Sequence, residues 1–253
     1  PHPCPKIIRK RSLWIVGFGC GAQTQRATTL EDHVYPSRSY LVEDLFPVRS
    51  ISLFSAASGV GKTTLTFQLC DEWIKNSTFL GRKALPNPRI AYFAYDRTLE
   101  DTYDLLNRLK LHWPSDVLSL ASFVLHPPPM PYPTLQQLAG ADFFIIDGID
   151  CMMQDFNKFS QVQGCLQMFM KLMKGKEQAG LGILGTSKLK IGERFINART
   201  SGIGSAAWGR LCGTYIEGDM SSDDPEEIRT FNISQRHGPP ETLQYIFDES
   251  GAL

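Results

Sequence analysis

The chain has 253 residues, with 26 Lys and Arg against 26 Asp and Glu, and so carries no formal net charge. This length suits one medium-sized domain with short additions, and a composition of 42% hydrophobic and 21% charged residues excludes disorder throughout. No apolar run reaches the roughly 18 residues of a membrane span, which excludes a spanning helix, and no membrane partner is expected. The zero charge excludes a uniformly basic nucleic-acid binder.

The first 40 residues differ in charge from the rest, because they hold six Lys and Arg against two acidic residues. They are predicted to form a basic N-terminal arm, and residues 41–253 the folded domain. The six Cys form no CxxC pair and have no His at zinc-ligand spacing, which predicts free thiols in a reducing compartment. The start carries charge without the apolar segment of a signal peptide, so a cytoplasmic location is expected.

From about residue 41, strands and helices alternate along the chain. Hydrophobic periodicity predicts strands at 51–54, 90–94, 122–125, 142–146, 182–184 and 212–217, helices at 63–75, 98–110 and 161–178, and a late hairpin of 229–234 with 243–247. Such alternation followed by terminal strands predicts an α/β fold. We expect a mostly parallel sheet flanked by helices, with a C-terminal antiparallel hairpin.

A phosphate-binding loop lies between the first predicted strand and the first helix. Its sequence is AASGVGKT at 56–63, which matches GxxxxGKT except that Ala56 replaces the first Gly. Glycines let the backbone wrap around phosphates, and the N–H groups of the loop and helix N-terminus face the anion. The predicted nucleotide-binding residues are Ala57, Ser58, Gly59, Val60, Gly61, Lys62, Thr63 and Thr64. Lys62 is expected to reach the β- and γ-phosphates of ATP, and the Thr63 hydroxyl to bind Mg²⁺.

Two acidic residues complete the predicted site. The apolar strand FFII ends in Asp147, which is the Walker B pattern and predicts a second Mg²⁺ contact opposite Thr63. No Glu follows Asp147 directly, so the candidate for orienting the attacking water is Asp96, which ends the strand after the first helix. The alternative interpretation makes Asp96 the N-cap of the helix that follows.

Several segments in the same order resemble the RepA-like AAA ATPases, RecA/DnaB-type proteins that include plasmid and phage replicative helicases. They are LVEDLFP at 41–47, the phosphate-binding loop, FLGR at 79–82 and RIAYF at 89–93. The resemblance covers roughly residues 40–250 and implies a RecA-like ATPase domain at 41–253. It also implies that the catalytic carboxylate is Asp96, although the family usually has Glu there.

The resemblance implies two further features near the end of the chain. Arg236, in SQRHGP at 234–239, matches the arginine finger that reaches the γ-phosphate of a neighbouring subunit, which requires a homo-oligomer such as a hexamer. The family's HHxxK segment is replaced by TSK at 186–188, so both His are lost.

For Arg236, the alternative to an arginine finger is an ion pair with an acidic residue on the protein surface.

RecA-type motors place a DNA-contacting loop after the strand that ends near 186. Here that segment is basic with one aromatic residue, and Arg or Lys side chains bind phosphates while an aromatic ring stacks on a base. The predicted contacts with single-stranded DNA are Lys188, Lys190, Arg194, Phe195 and Arg199. A solvated loop without a ligand is the alternative.

Together these residues predict a Mg²⁺-dependent ATPase that acts on single-stranded DNA as a ring-forming helicase or translocase. Three alternatives remain open. The first is an ATP-gated DNA-binding or recombination-mediator protein without unwinding, which Asp96 and the missing His pair favour. The second is a P-loop kinase for a small molecule, and the third is a structural subunit that binds ATP without turnover.

Overall fold

We describe the protein from a computed structural model. The described residues are 38–57, 61–126, 129–186, 208, 211–219, 229–235 and 239–245. The predicted basic arm at 1–40 therefore lies almost wholly outside the described residues and stays a prediction.

The described residues form strands and helices in alternation. The strands are β1 (Tyr40–Val42), β2 (Phe46–Pro47), β3 (Ile51–Ala57), β4 (Thr78–Phe79), β5 (Arg82–Lys83), β6 (Ile90–Ala94), β7 (Leu118–Ser122), β8 (Phe143–Asp147), β9 (Ala179–Thr186), β10 (Thr214–Asp219), β11 (Arg229–Gln235) and β12 (Glu241–Tyr245). The helices are α1 (Lys62–Asn76), α2 (Leu99–Arg108), α3 (Leu135–Ala139) and α4 (Phe159–Leu172), with a 3-10 turn at Ile149–Met152.

Eight of these strands make one sheet in the order β12-β11-β10-β3-β9-β8-β6-β7. The six strands from β10 to β7 are parallel, whereas β11 and β12 add to the β10 edge in antiparallel fashion. The predicted α/β class, with a parallel sheet and a C-terminal antiparallel hairpin, is confirmed.

Helices cover both faces of the sheet because the side chains of each strand alternate between them. In β8, Phe143 and Ile145 pack with α1 and α2, whereas Phe144 and Ile146 pack with α3 and α4. All four side chains are fully buried, which explains why the strand reads as a continuous apolar run. Its charged last residue, Asp147, is thereby carried to the carboxyl edge of the sheet.

Two predicted elements have a boundary that is displaced by four or more residues. The strand predicted at 122–125 lies at Leu118–Ser122, because it is a half-buried edge strand in register with Ile90, and Leu125 is 93% exposed in the turn that follows. The helix predicted at 161–178 is Phe159–Leu172, and Gly175 with φ +81° turns the chain towards β9.

The sequence predicts free thiols and no membrane-spanning helix. Cys70, Cys151, Cys165 and Cys212, the Cys within the described ranges, are free thiols, in line with the prediction. Every helix in the described part of the chain is too short or too polar to cross a lipid bilayer.

Candidate nucleotide-binding site

The site begins where β3 passes into α1. Gly61 has φ +81°, a left-handed conformation that side chains disfavour, and it directly precedes the first residue of α1, Lys62. The first turn of a helix leaves backbone N–H groups without helical partners, and these groups bind anions well. Of the predicted loop, Ala57 ends β3 and Thr64 lies in the first turn, whereas residues 58–60 lie outside the described residues.

The Thr63 hydroxyl and the Asp147 carboxylate, both predicted Mg²⁺ ligands, are in direct contact. Thr63 donates a hydrogen bond to Asp147 Oδ2 over 2.6 Å. Asp147 is 3% exposed, and Tyr92 of β6 donates from its hydroxyl to the same Oδ2 oxygen, also over 2.6 Å. Tyr92 is completely buried between β6 and α1, where it packs against Phe67. Tyr92 was not among the predicted site residues, and its sequence signal is a hydroxyl in an otherwise apolar strand.

Arg97 also enters this cluster, and the sequence analysis missed it as well. Its Nη2 donates to Thr63 Oγ1 over 3.0 Å and lies 3.6 Å from Asp147 Oδ2. Its Nε donates to Asp96 Oδ1 over 3.2 Å. The only sequence signal was its place directly after the candidate base. One guanidinium therefore joins all three oxygen-bearing residues predicted for catalysis and metal binding.

Asp96 lies at the mouth of the site, two residues after the end of β6, with a side chain that is 46% exposed. The alternative interpretation of Asp96 as a helix N-cap is wrong. The N-cap of α2 is Thr98, whose hydroxyl accepts from the Asp101 N–H while the Asp101 carboxylate accepts from the Thr98 N–H. This reciprocal pair satisfies the helix end without Asp96, which leaves that carboxylate facing the cleft.

Lys62 is half-buried and folds back over the loop, where its Nζ donates to the Ala56 carbonyl over 2.8 Å. Burial lowers the pKa of Lys62 from its ordinary value, and the negative charges of Asp147, Asp96 and Asp150 oppose that shift. A partly desolvated ammonium bonded to a neutral carbonyl is well prepared to bind phosphate oxygens instead.

The buried carboxylate of Asp147 is electrostatically costly. Its burial, reinforced by repulsion from Asp96, raises the pKa of Asp147 above the ordinary carboxyl value, while Arg97 and the hydrogen bonds from Thr63 and Tyr92 pull it down. Burial likewise raises the pKa of Asp150, three residues further on. A divalent cation supplies the positive charge that such a site favours.

These side chains line an open cleft of about 300 Å³ between the start of α1 and one side of α2. The lining residues are Gly61, Lys62, Thr63, Thr64, Asp96, Arg97, Leu105, Arg108 and Asp147. Three of them are cationic, which suits a polyphosphate. A second cavity, of about 360 Å³, lies between α3 and the edge strand β7 and shares no lining residue with this cleft.

The donors fit Mg²⁺, because a hydroxyl and a carboxylate oxygen are hard ligands and this ion takes its other ligands from phosphates and water. Consistently, within the described ranges no three His, Cys, Asp or Glu side chains gather into a metal site made by the protein alone. The remaining predicted residues, Lys188, Lys190, Arg194, Phe195, Arg199 and Arg236, lie outside the described residues.

Comparison with known proteins places this geometry in context. The sequence profile of the AAA domain family matches residues 22–184, more than half of the chain. Among solved structures, a KaiC-like protein from the hyperthermophilic archaeon Pyrococcus horikoshii OT3 is similar, with a TM-score of 0.54 over 85% of this chain and 96% of that chain. At 13% sequence identity the similarity concerns the fold alone, and it confirms the predicted RecA-like P-loop architecture. No curated protein matches the chain by sequence.

Proposed function

The chain belongs to the AAA domain family of P-loop ATPases, and we propose that it is a RepA-like motor that couples Mg²⁺-dependent ATP hydrolysis to movement on single-stranded DNA. The observation that carries the proposal is the 2.6 Å hydrogen bond from Thr63 to Asp147 at the head of a phosphate-binding helix. This contact brings the two predicted metal ligands together beside Lys62.

The roles of the residues follow from where their polar atoms lie. The ammonium of Lys62 and the N-terminus of α1 bind the phosphates, and Thr63 with Asp147 holds the metal ion. When bound, Mg²⁺ neutralises charge on the β- and γ-phosphate oxygens. Asp96 accepts a proton from the attacking water or orients it, and its exposed carboxylate at the cleft mouth suits that task.

The start of the predicted DNA-binding segment supports a coupling between DNA and nucleotide. Thr186, the last residue of β9, is in register with Ala57 at the end of β3. The strand that precedes the segment at 188–199 therefore ends beside the strand that leads into the phosphate-binding loop. This register supports a coupling in which the nucleotide state of the loop affects DNA binding by Lys188 and the basic residues that follow it.

The strand that leads to Arg236 supports a role in a neighbouring subunit rather than in its own. Gln235, the last residue of β11, pairs with Thr214, whereas Tyr215 is in register with Leu53 of β3. The chain thus leaves the sheet at least four residues from Ala57, or more than about 13 Å at 3.3 Å per residue. β11 therefore ends at the edge opposite the nucleotide site, which supports a ring assembly in which Arg236 reaches a phosphate of a neighbouring subunit.

One observation favours a second candidate, an ATP-gated DNA-binding protein without unwinding. Asp96 is shorter than the Glu that is usual in the resembling family, and it is paired with Arg97 over 3.2 Å. A catalytic carboxylate on a short side chain that is also ion-paired suits slow hydrolysis. ATP would then act as a switch for DNA binding.

The test compares ATP hydrolysis with and without single-stranded DNA and adds a strand-displacement assay on a forked duplex. We expect DNA to stimulate hydrolysis and the fork to be unwound. Arg194→Ala should reduce the stimulation, whereas Lys171→Ala, at an exposed lysine of α4, should not. Stimulation without unwinding favours the ATP-gated binder, and phosphoryl transfer to a small acceptor without a DNA effect rejects the motor.

A further inference from the structure

Arg97 holds a position in the cleft that a bound cation needs. Its Nη2 lies 3.0 Å from Thr63 Oγ1 and 3.6 Å from Asp147 Oδ2, so one nitrogen approaches both proposed metal ligands. The Arg97 side chain is 25% exposed and lines the cleft, so it is reachable from solvent. A positive group thus already neutralises the buried carboxylate.

The hydrogen bonds of Thr63 place Arg97 in competition with an entering cation. A Thr hydroxyl has one hydrogen and two lone pairs. The hydrogen goes to Asp147 and a lone pair accepts from Arg97, so a cation entering here meets an oxygen that is already engaged. Two positive charges within roughly 4 Å also repel each other strongly where water is scarce.

We propose that Arg97 is a tethered competitor of the divalent metal, and that its guanidinium leaves Thr63 and Asp147 when a metal–nucleotide complex binds. The inference rests on the proposed nucleotide site and adds a positioning residue to it. Binding of metal then breaks the Arg97–Thr63 bond, whereas the Arg97–Asp96 bond does not involve a metal ligand. A single side chain therefore links the state of the metal site to the proposed base.

The backbone of Arg97 is anchored, so the side chain alone has to move. Ser122 of β7 donates a hydrogen bond to the Arg97 carbonyl over 2.7 Å, and Thr98 caps α2 directly afterwards. A rotation about the side-chain bonds carries Nη2 away from Thr63 without unfolding either element. The adjoining cleft of about 300 Å³ gives the guanidinium space to turn.

The test measures ADP affinity by titration calorimetry in excess EDTA and in excess Mg²⁺. The quantity compared between variants is the dissociation constant in EDTA divided by the dissociation constant in Mg²⁺. In the wild type, Arg97 partly replaces the metal, so the ratio is modest. Arg97→Ala should raise the ratio about tenfold or more, within the roughly 5–150-fold range of typical coupling between sites. Arg97→Lys keeps the charge but loses the planar fork, so its ratio should fall between the two.

Arg108→Ala is the matched control, because Arg108 is an exposed cation of the same cleft at the end of α2. It should change both dissociation constants only modestly and leave their ratio within about twofold of wild type, since water and salt screen an exposed charge. Thermal melts identify an unfolded Arg97→Ala protein, in which case the Arg97→Lys ratio decides.

The outcomes separate this inference from the proposed function. If wild-type protein binds no ADP in either buffer, the nucleotide site itself is rejected, and the role of Arg97 with it. If wild-type protein binds ADP but the Arg97 variants keep its ratio, or match Arg108→Ala, only the competitor role is overturned.

Discussion

The Thr63 hydroxyl and the Asp147 carboxylate lie 2.6 Å apart, although 84 positions separate them along the chain. They meet because β3 and β8 are parallel strands on either side of β9, so their carboxyl ends reach the same edge of the sheet. Ligand sites of parallel α/β sheets lie at this edge. The contact therefore ties the sheet order directly to the proposed chemistry.

Tyr92→Phe tests the second donor to Asp147. The change removes one hydrogen bond to a buried carboxylate, and we expect it to lower the free energy of unfolding by about 1.5–3 kcal/mol, as for bonds to charged groups. Urea denaturation measures the loss. Tyr95→Phe is the control, since its hydroxyl donates to the neutral carbonyl of Pro131 and should cost only about 1 kcal/mol. A smaller loss for Tyr92→Phe than for Tyr95→Phe would count against the charged cluster.

The pH dependence of metal-assisted ADP binding tests Asp147. Metal binding needs the ionised carboxylate, and burial raises the pKa of Asp147, so protonation competes with the metal at higher pH than for an ordinary carboxyl. The benefit of Mg²⁺ for ADP affinity should therefore be full at about pH 8, and on acidification it should be lost at a higher pH than for an ordinary Asp carboxyl, whose pKa is about 3.9. Asp147→Asn should abolish the benefit at every pH. If Mg²⁺ still increased the ADP affinity of Asp147→Asn, Asp147 would not be a metal ligand.

Gly180→Ala tests the close packing of β9 against the helix-covered face of the sheet. A Cβ atom there would stand 2.4 Å from Phe144 Cε2 and 2.6 Å from Ile51 Cδ1, so the core must shift. We expect a loss of about 1–3 kcal/mol in unfolding free energy, as for other overpacked cores. Gly164→Ala, within α4 and with open space around its Cβ position, should instead stabilise by up to about 1 kcal/mol. Equal effects of the two changes would contradict the packing.

Mixing two inactive variants tests whether Arg236 acts between subunits. Lys62→Ala lacks a working site but keeps Arg236, and Arg236→Ala has the opposite defect. If Arg236 completes the site of a neighbour, a mixture assembled together should recover part of the ATPase rate, because some interfaces then contain both residues. Mass photometry confirms that mixed assemblies form. Mixed assemblies without recovered hydrolysis would show that Arg236 does not act in this way.

The sequence predicted most of the fold because its signals are local. The buried strand β6 is an apolar run of five residues, β8 has four apolar residues before Asp147, and α1 follows a Gly-rich loop. The edge strand β7 was misplaced, because it is only half-buried and its sequence LSLAS is no more apolar than the turn that follows. A strand that is buried on both faces has a continuous hydrophobic sequence that is easy to locate. An edge strand that is only half-buried has a weaker hydrophobic pattern.

The candidate site was predicted only in part, for a related reason. Lys62, Thr63 and Asp147 stand at fixed positions relative to a motif, whereas Tyr92 and Arg97 reach Asp147 only through the pairing of β6 with β8. Nothing in the order of residues along the chain reveals that pairing. Side chains that act across neighbouring strands need the sheet order before they can be assigned.

The most direct test of the central claim is the rate of Mg²⁺-dependent ATP hydrolysis by the purified protein, measured beside Lys62→Ala. The account predicts hydrolysis that EDTA abolishes and that falls by roughly 10²–10³-fold in the variant, the usual cost of removing one group that stabilises transition-state charge. Circular dichroism should show the variant folded, since Lys62 is half-buried at the start of α1. Hydrolysis at the wild-type rate by a folded Lys62→Ala protein would contradict the nucleotide site proposed here.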